Sequence, residues 1–395
     1  MKLEKLGNIT TNLDNKRIPL NSLQRELKSK KGLYPYIGAN NIMGYINEYI
    51  FDEKILCLAE DGGSWGINQT CANIYNEKCW VNNHAHVLSE NGKANLEYLR
   101  YFLNKADLNK YITGTTRGKL TKSALETILV PLPPLSTQLH IANILTKAEN
   151  LISQRKESIN LLDEFLKSTF LEMFGEIRIN NKKFPTSQIG DKLDLITYGL
   201  TVRPEYIEVG IPLISAREIR SGNLNYESAP KISQLSFNLL SDKAKPKKYD
   251  ILFSKTGSIG HCALVETNQV IAITQNAARL TFTNDINPIF ALFYLRTPYF
   301  QHLANKTAKG NAVRDLQLGD FKKFNFIIPP MDLQTQFAQI VEKIQALKEQ
   351  YQKSLKELEN LYGSLSQRAF RGELSFKDEK LLMATEPGSV YKRKS

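Results

Sequence analysis

A chain of 395 residues with 42% hydrophobic and 23% charged residues has apolar mass for two domains with separate cores, and it excludes a mainly disordered protein. Its net charge of +12 favours an anionic partner without separating DNA from RNA. No apolar run approaches the roughly 20 residues of a membrane span. The start, Met1-Lys2-Leu3-Glu4-Lys5-Leu6-Gly7, lacks a signal-peptide core, so a cytoplasmic protein is expected.

The chain opens on a segment, 1–132, of short apolar alternations rich in glycine and asparagine, which reads as mixed strand and short helix. Three of the four cysteines (Cys57, Cys71, Cys79) fall in it and the fourth, Cys262, lies later. No C-x-x-C pair or ligand spacing links them, so buried free thiols are expected. His84 and His86 would share one face of a strand and are the right type for metal ligands. Hydrogen bonding to a partner, or plain exposure, is the preferred reading, and no metal site is assigned. Gly114-Thr115-Thr116-Arg117-Gly118-Lys119-Leu120 superficially resembles a phosphate loop. It is one residue short, and Leu120 stands where Ser or Thr would bind magnesium. A loop able to touch DNA phosphates is the remaining reading.

Leu132-Pro133-Pro134-Leu135-Ser136-Thr137-Gln138 then opens a heptad-patterned segment, 133–176. Ile141, Leu145, Ala148, Ile152, Arg155, Ile159, Leu162, Leu166, Thr169 and Met173 follow in alternating steps of four and three, the spacing of a coiled-coil seam. The Pro-Pro pair blocks helix upstream, Ser136 is the expected N-cap, and Gly175 in Phe174-Gly175-Glu176 the expected terminator. At about 1.5 Å per residue such a helix is on the order of 55 Å long, more than one compact domain needs. A polar linker, 177–187, follows.

The same programme then repeats. A second mixed segment, 188–328, leads to Ile328-Pro329-Pro330-Met331-Asp332-Leu333-Gln334, 196 positions after the first Pro-Pro signal. Adding the same offset carries the seam onto Phe337, Val341, Ile344, Lys348, Tyr351, Leu355, Leu358, Tyr362, Leu365 and Ala369, where only Lys348 is clearly polar. Asp332 is the matching N-cap and Gly372 the matching terminator of this second helical segment, 329–374. A charged tail, 375–395, ends the chain. Its Lys377-Asp378-Glu379-Lys380 has nuclease-like letters but reads as a solvated charge run.

Comparison of the copies separates what is constant from what drifts. Pro35 to Ile42 matches Pro212 to Ile219, Ile55-Leu56-Cys57 matches Ile251-Leu252-Phe253, and Asn82 to Leu88 lines up with Thr274 to Leu280. Gly114 and Leu120 fall on Gly310 and Leu316. Apolar positions agree while polar ones differ: Asn40 and Asn41 stand against Arg217 and Glu218, and Asn83 and His84 against Gln275 and Asn276. Asn and Gln suit adenine and Arg suits guanine. Candidate DNA-contacting residues are therefore Asn40, Asn41, Asn83, His84, His86, Arg117, Arg217, Arg220, Gln275 and Asn276, with Lys119, Lys122, Arg203, Lys255 and Arg314 for phosphate positioning. For each, a solvated surface residue is an equally simple reading. The seam offers Ile141, Leu145, Ile152, Ile159, Leu162 and Leu166 to pair with Phe337, Val341, Ile344, Leu355, Leu358 and Leu365. A homodimeric coiled coil fits the same stripes, but pairing inside one chain is expected.

Catalytic motifs for nucleic-acid chemistry are missing from the sequence. An adenine-N6 methyltransferase needs an Asn/Asp-Pro-Pro-aromatic loop, and the only Pro-Pro pairs sit in Leu132-Pro133-Pro134-Leu135 and Ile328-Pro329-Pro330-Met331. Two variable segments, each followed by a near-constant helix that opens on Pro-Pro-x-x-x-Gln and closes on Phe-Gly-Glu or Phe-Arg-Gly-Glu, resemble the specificity subunit of type I restriction-modification systems. The resemblance covers residues 1–374. It implies an α+β fold in which two target-recognition domains are each followed by a long helix, the two helices pairing as an antiparallel coiled coil. It further implies a non-catalytic subunit that binds double-stranded DNA, two modification subunits and the restriction subunits. S-adenosylmethionine would belong to the modification partner and ATP with magnesium to the restriction partner. Two modules on one rod should read a split target with half-site centres about 10 base pairs apart, and their different polar residues should make the halves unlike. A related restriction system with a fused methyltransferase-nuclease partner, and a coiled-coil protein with no DNA readout, are the alternatives.

Overall fold

A computed structural model describes residues 1–374 apart from Lys31, Thr115, Arg203, Ser221, Asn311 and Ala312. Two compact units emerge: one holds Met1–Glu157 with the chain from Gln352 on, the other Ser158–Tyr351.

Among the described residues each copy contributes nine strands, and the two sets correspond one to one. The first set is β1 (Leu3–Lys5), β2 (Thr10–Asn12), β3 (Tyr34–Ile37), β4 (Ile42–Ile46), β5 (Ile55–Ala59), β6 (Ala72–Tyr75), β7 (Trp80–Val81), β8 (Ala85–Glu90) and β9 (Leu129–Pro131). The second is β10 (Thr186–Gln188), β11 (Leu193–Tyr198), β12 (Ile211–Ile214), β13 (Lys231–Ile232), β14 (Ile251–Ser254), β15 (Cys262–Leu264), β16 (Ala272–Ile273), β17 (Ala277–Phe282) and β18 (Asn325–Ile327). The first copy forms sheets ordered β1-β9, β2-β8-β5-β6 and β4-β3-β7; the second forms β10-β18, β11-β17-β14-β15 and β13-β12-β16. Even the parallel pair is kept, with Ile37 opposite Val81 and Ile214 opposite Ile273. The central strands β5 and β14 are buried on both faces, which explains their unbroken apolar runs Ile55-Leu56-Cys57-Leu58-Ala59 and Ile251-Leu252-Phe253. Cys57, Cys71, Cys79 and Cys262 are buried free thiols, and burial pushes Cys71 and Cys79 up to about 12.

The copies are not identical. After the helix Pro288–Arg296 the second has a further helix, Pro298–Thr307, where the first, after Leu96–Lys105, has only a short 3-10 turn at Asn109–Tyr111. Pro298 at a first helical position and Thr297, whose side chain accepts from Phe300 N–H, start that extra helix.

The two long helices are Leu135–Phe174 and Met331–Arg371. Both begin earlier than their expected caps: Ser136 and Asp332 lie inside the first turn, and the chain enters from Pro134 and Pro330, whose carbonyls accept from the Gln138 and Gln334 N–H at 3.1 and 3.2 Å. The two glutamines anchor these helix starts to backbone outside the helix. Gln138 is buried; its Nε2 donates to the Pro133 and Lys93 carbonyls and its Oε1 accepts from Asn95 N–H at 2.9 Å. Gln334 does the same with Pro329, Asp285 and Asn287. Each glutamine thus ties the helix start to the preceding helix of its own unit, Leu96–Lys105 or Pro288–Arg296. Gly175 and Gly372 close the helices with φ of 73° and 79°, a conformation that favours glycine.

Within the first unit, Ile141, Ile144, Leu145 and Ala148 share a core with Leu365 and Ala369; Leu358 is buried, and Ile152 and Leu355 are half-buried. Within the second, Phe170 and Phe174 pack on Phe337 with ring centroids 5.3 and 5.4 Å apart; Leu166 is buried, and Ile159, Leu162, Val341 and Ile344 are half-buried. The start of each helix meets the end of the other, so they pair antiparallel inside one chain. Lys348, the polar interruption of the stripe, bonds both Asp163 carboxylate oxygens at 2.7 and 2.8 Å. Among the described residues no helix is long and apolar enough to cross a membrane.

Candidate nucleic-acid interface

In each copy three backbone segments converge where the central strand ends. In the first unit β5 runs on into Glu60-Asp61-Gly62, the segment Asn82-Asn83-His84 leads into β8, and Thr113 bridges to Lys119. Glu60 N–H donates to His84 O at 2.9 Å, Leu120 N–H to Glu60 O at 2.7 Å, and Gly62 N–H to Gly118 O at 3.2 Å. In the second unit Lys255 N–H donates to Asn276 O at 3.0 Å, Leu316 N–H to Lys255 O at 2.8 Å, and Gly257 N–H to Arg314 O at 2.8 Å. The mutual bonds of Thr113 with Lys119 reappear between Lys309 and Asp315. Gly114 and Gly310 turn the hairpins at φ of 92° and 114°, where a Cβ would lie 2.5 and 2.3 Å from the carbonyl oxygens of Arg117 and Val313. One backbone frame is therefore built twice.

The side chains on it are not repeated. In the first unit Asp61 Oδ1 holds His84 Nδ1 at 2.8 Å and Arg117 Nη2 at 3.0 Å. Glu60 pairs with Lys119 at 3.0 Å and with Arg17 at 2.6 Å. Burial pushes the Glu60 carboxyl up, but the bonds from Arg17 and Lys119 outweigh it and hold it below the usual range. In the second unit Lys255 pairs with Asp315 at 2.6 Å, Thr256 donates to the same oxygen, and Gln317 reaches the other at 2.6 Å. Asp315 is likewise pushed up by burial and pulled lower still by Lys255 and Thr256. Arg314 donates to the Asn305 and Ala308 carbonyls.

His86 requires a correction. It is 1% exposed, with Nδ1 at 2.6 Å from Asp14 Oδ2 and Nε2 at 2.7 Å from Leu120 O, so it braces the fold and does not present itself to DNA. His84 has a different partner, Asp61, at 2.8 Å from its Nδ1. Asp14, Glu60 and His86 bring ligand-type atoms within 4.8 Å of one another. Arg17 lies against both carboxylates and Lys119 against Glu60, and those cations make the cluster an ion-pair network. The other candidates scatter. Asn41, Asn83, Lys122, Arg217, Arg220 and Gln275 are exposed, while Asn40 and Asn276 are half-buried. Arg220 lies beside His261, whose pKa is lowered first by burial and then by that guanidinium. Arg203 and Lys377-Asp378-Glu379-Lys380 lie outside the described residues.

The cations are held in place by three acids outside the set expected from the sequence, Glu60, Asp61 and Asp315. A signal existed: Lys119 falls on Asp315 at the 196 offset. Its partner was hidden because Glu60 corresponds to Lys255 at an offset of 195, one residue out of step with the strands before it.

A duplicated α+β unit with a variable polar surface and a constant helix defines a class of DNA specificity proteins, and comparison with known proteins agrees. The family model for the type I restriction modification DNA specificity domain matches residues 1–161 and 171–360. The chain belongs to that family and is a type I specificity subunit with two recognition domains. A putative type I restriction enzyme specificity subunit of Haemophilus influenzae is 27% identical over 87% of this chain and 87% of its own length. The EcoBI specificity subunit of Escherichia coli is 25% identical over 68% of this chain and 63% of its own. In fold, the chain is similar to the crystal structure of the type I S subunit from M. genitalium, with a TM-score of 0.62 at 14% identity, covering 93% of this chain and 96% of that one. A chain from a structural study of type I system assembly gives 0.51 at 17% identity, over 94% and 98%.

Proposed function

We propose that this chain is the non-catalytic reader of a type I restriction-modification complex, recognising a split, asymmetric DNA target with one half-site per copy. The observation that carries this reading is the frame built twice with different side chains upon it. A reader of two identical half-sites would have no reason to vary Glu60, Asp61, His84, Arg117 and Lys119 into Lys255, Thr256, Asn276, Val313 and Asp315. Base edges are distinguished by donor and acceptor patterns in the major groove, and an exchange of side-chain type changes the base accepted. The +12 charge supplies the phosphate attraction that any duplex binder needs.

The names of the relatives speak of specificity subunits of type I restriction enzymes, which supports a place among partner subunits. Two modification subunits would dock on this scaffold and carry S-adenosylmethionine, and restriction subunits would bring ATP and magnesium, in the cytoplasm where chromosomal DNA lies. The test is co-expression with a modification subunit from the same host. The chain alone should have no methyltransferase activity, and the pair should methylate DNA at one split target. Methylation of the same sequences by the modification subunit without this chain would overturn the reading.

A further inference from the structure

The ion pair at the centre of the repeated frame runs in opposite directions in the two copies. Glu60 and Lys255 occupy the same place, each donating its N–H to the segment that enters the long inner strand, at His84 O or Asn276 O, and each accepting from Leu120 or Leu316 through its own carbonyl. Lys119 and Asp315 face them from the equivalent hairpin position. The pairs are Glu60 to Lys119 at 3.0 Å and Lys255 to Asp315 at 2.6 Å.

Exposure shows which member faces outward. In the first copy the acid is inside, its side chain 13% exposed, and the lysine outside at 49%. In the second the lysine is inside at 13% and the acid outside at 25%. The inner member is further fixed in each case: Glu60 by Arg17, and Lys255 by Thr256 and the Tyr198 ring, 5.5 Å from its ammonium. The outer members also have different neighbours. Beside Lys119 stands Arg117, 63% exposed and aimed by Asp61; beside Asp315 stands exposed Gln317, whose amide already binds the carboxylate.

The inner partners follow the direction of the pair, with Arg17 beside the inner acid of the first copy and the Tyr198 ring beside the inner ammonium of the second. The reversal also changes what the outer surface offers: hydrogen-bond donors with positive charge in the first copy, an acceptor with negative charge in the second. Guanine presents the acceptors O6 and N7 in the major groove, whereas cytosine and adenine present an exocyclic amino group. We infer that the direction of this ion pair is a specificity determinant: Lys119 and Arg117 address a guanine in one half-site, and Asp315 addresses the amino group of a cytosine or adenine in the other. Glu60, Asp61 and Lys255 act as positioning residues behind them. This inference rests on the DNA-reading function proposed above.

The test uses the full chain in complex with its modification partner, selecting methylated or bound duplexes from a library randomised over the target. Lys255→Glu/Asp315→Lys reverses the pair and keeps an ion pair in place. The expected result is a change of preferred base at one position of one half-site, by about tenfold, with the other half-site read as before. Asp315→Asn keeps the shape and an acceptor oxygen while removing the charge, and it should weaken discrimination at that same position even if the double variant folds poorly. Unchanged base preferences in Asp315→Asn, or an equal loss of binding across all sequences, would overturn the inference while leaving the DNA-reading function standing. A wild-type complex with no split preference would instead remove that function, and the inference with it.

Discussion

At the residue scale the constant parts of the two copies are braces. Gln138 and Gln334 are conservable by physics alone: each is buried and satisfies three backbone groups that no apolar side chain could reach. Replacing Gln334 with Leu leaves the Pro329 carbonyl and the Asn287 N–H buried without that partner, and a loss of about 2–3 kcal/mol is expected, read as a lower denaturation midpoint of the full chain. A change under about 0.5 kcal/mol would show that the clamp is dispensable. The Asp14–His86–Glu60–Arg17 network predicts a pH effect. Both carboxyls are raised by burial but brought below their ordinary values by hydrogen bonds, from His86 and Val87 N–H for Asp14 and from Arg17 and Lys119 for Glu60. Their contribution is therefore complete above about pH 4, the carboxylate value in the unfolded chain, and is lost as the pH falls through the lower folded values. Thermal midpoints of Glu60→Gln should fall less steeply below pH 4 than those of the wild type; parallel curves would count against the network.

At the element scale the long helices were the most legible part of the sequence, because a seam at steps of four and three needs no tertiary knowledge to be recognised. Apolar packing rather than charge holds them. Phe170 packs on Phe174, Phe290 and Phe337 with ring centroids within 6 Å, so Phe170→Ala should cost about 3–5 kcal/mol. Lys348 and Asp163 are 21% and 46% exposed, and Lys348→Ala should cost less than about 1 kcal/mol. Equal losses in chemical denaturation would mean that the ion pair matters more than the geometry suggests. What the sequence left unreadable were the sheet ends. His86 looked like an exposed partner for His84 because alternation places both on one face. Its real partners, Asp14 and Leu120, lie 72 and 34 positions away, beyond the reach of any local pattern. The caps at Ser136 and Asp332 were misplaced for a related reason: the glutamine two residues inside Ser136, and its counterpart after Asp332, does the tying through long-range bonds that spacing does not reveal. The extra helix Pro298–Thr307 likewise has no counterpart in the first copy from which it could have been inferred.

At the scale of the whole molecule, duplication explains both the constancy and the drift. Among the described residues nine strands recur in the same order in each copy, together with the helix-opening signal, while the polar groups at the sheet ends have been exchanged, down to the direction of an ion pair. Such a chain needs no catalytic group of its own to determine where a partner enzyme acts. The most direct measurement is the adenine methylation map of the host genome with and without this gene. The account predicts a split motif, its two halves different in sequence and each carrying one modified adenine, that disappears when the gene is deleted. A methylation map unchanged by the deletion, in a host whose modification subunit is active, would contradict it.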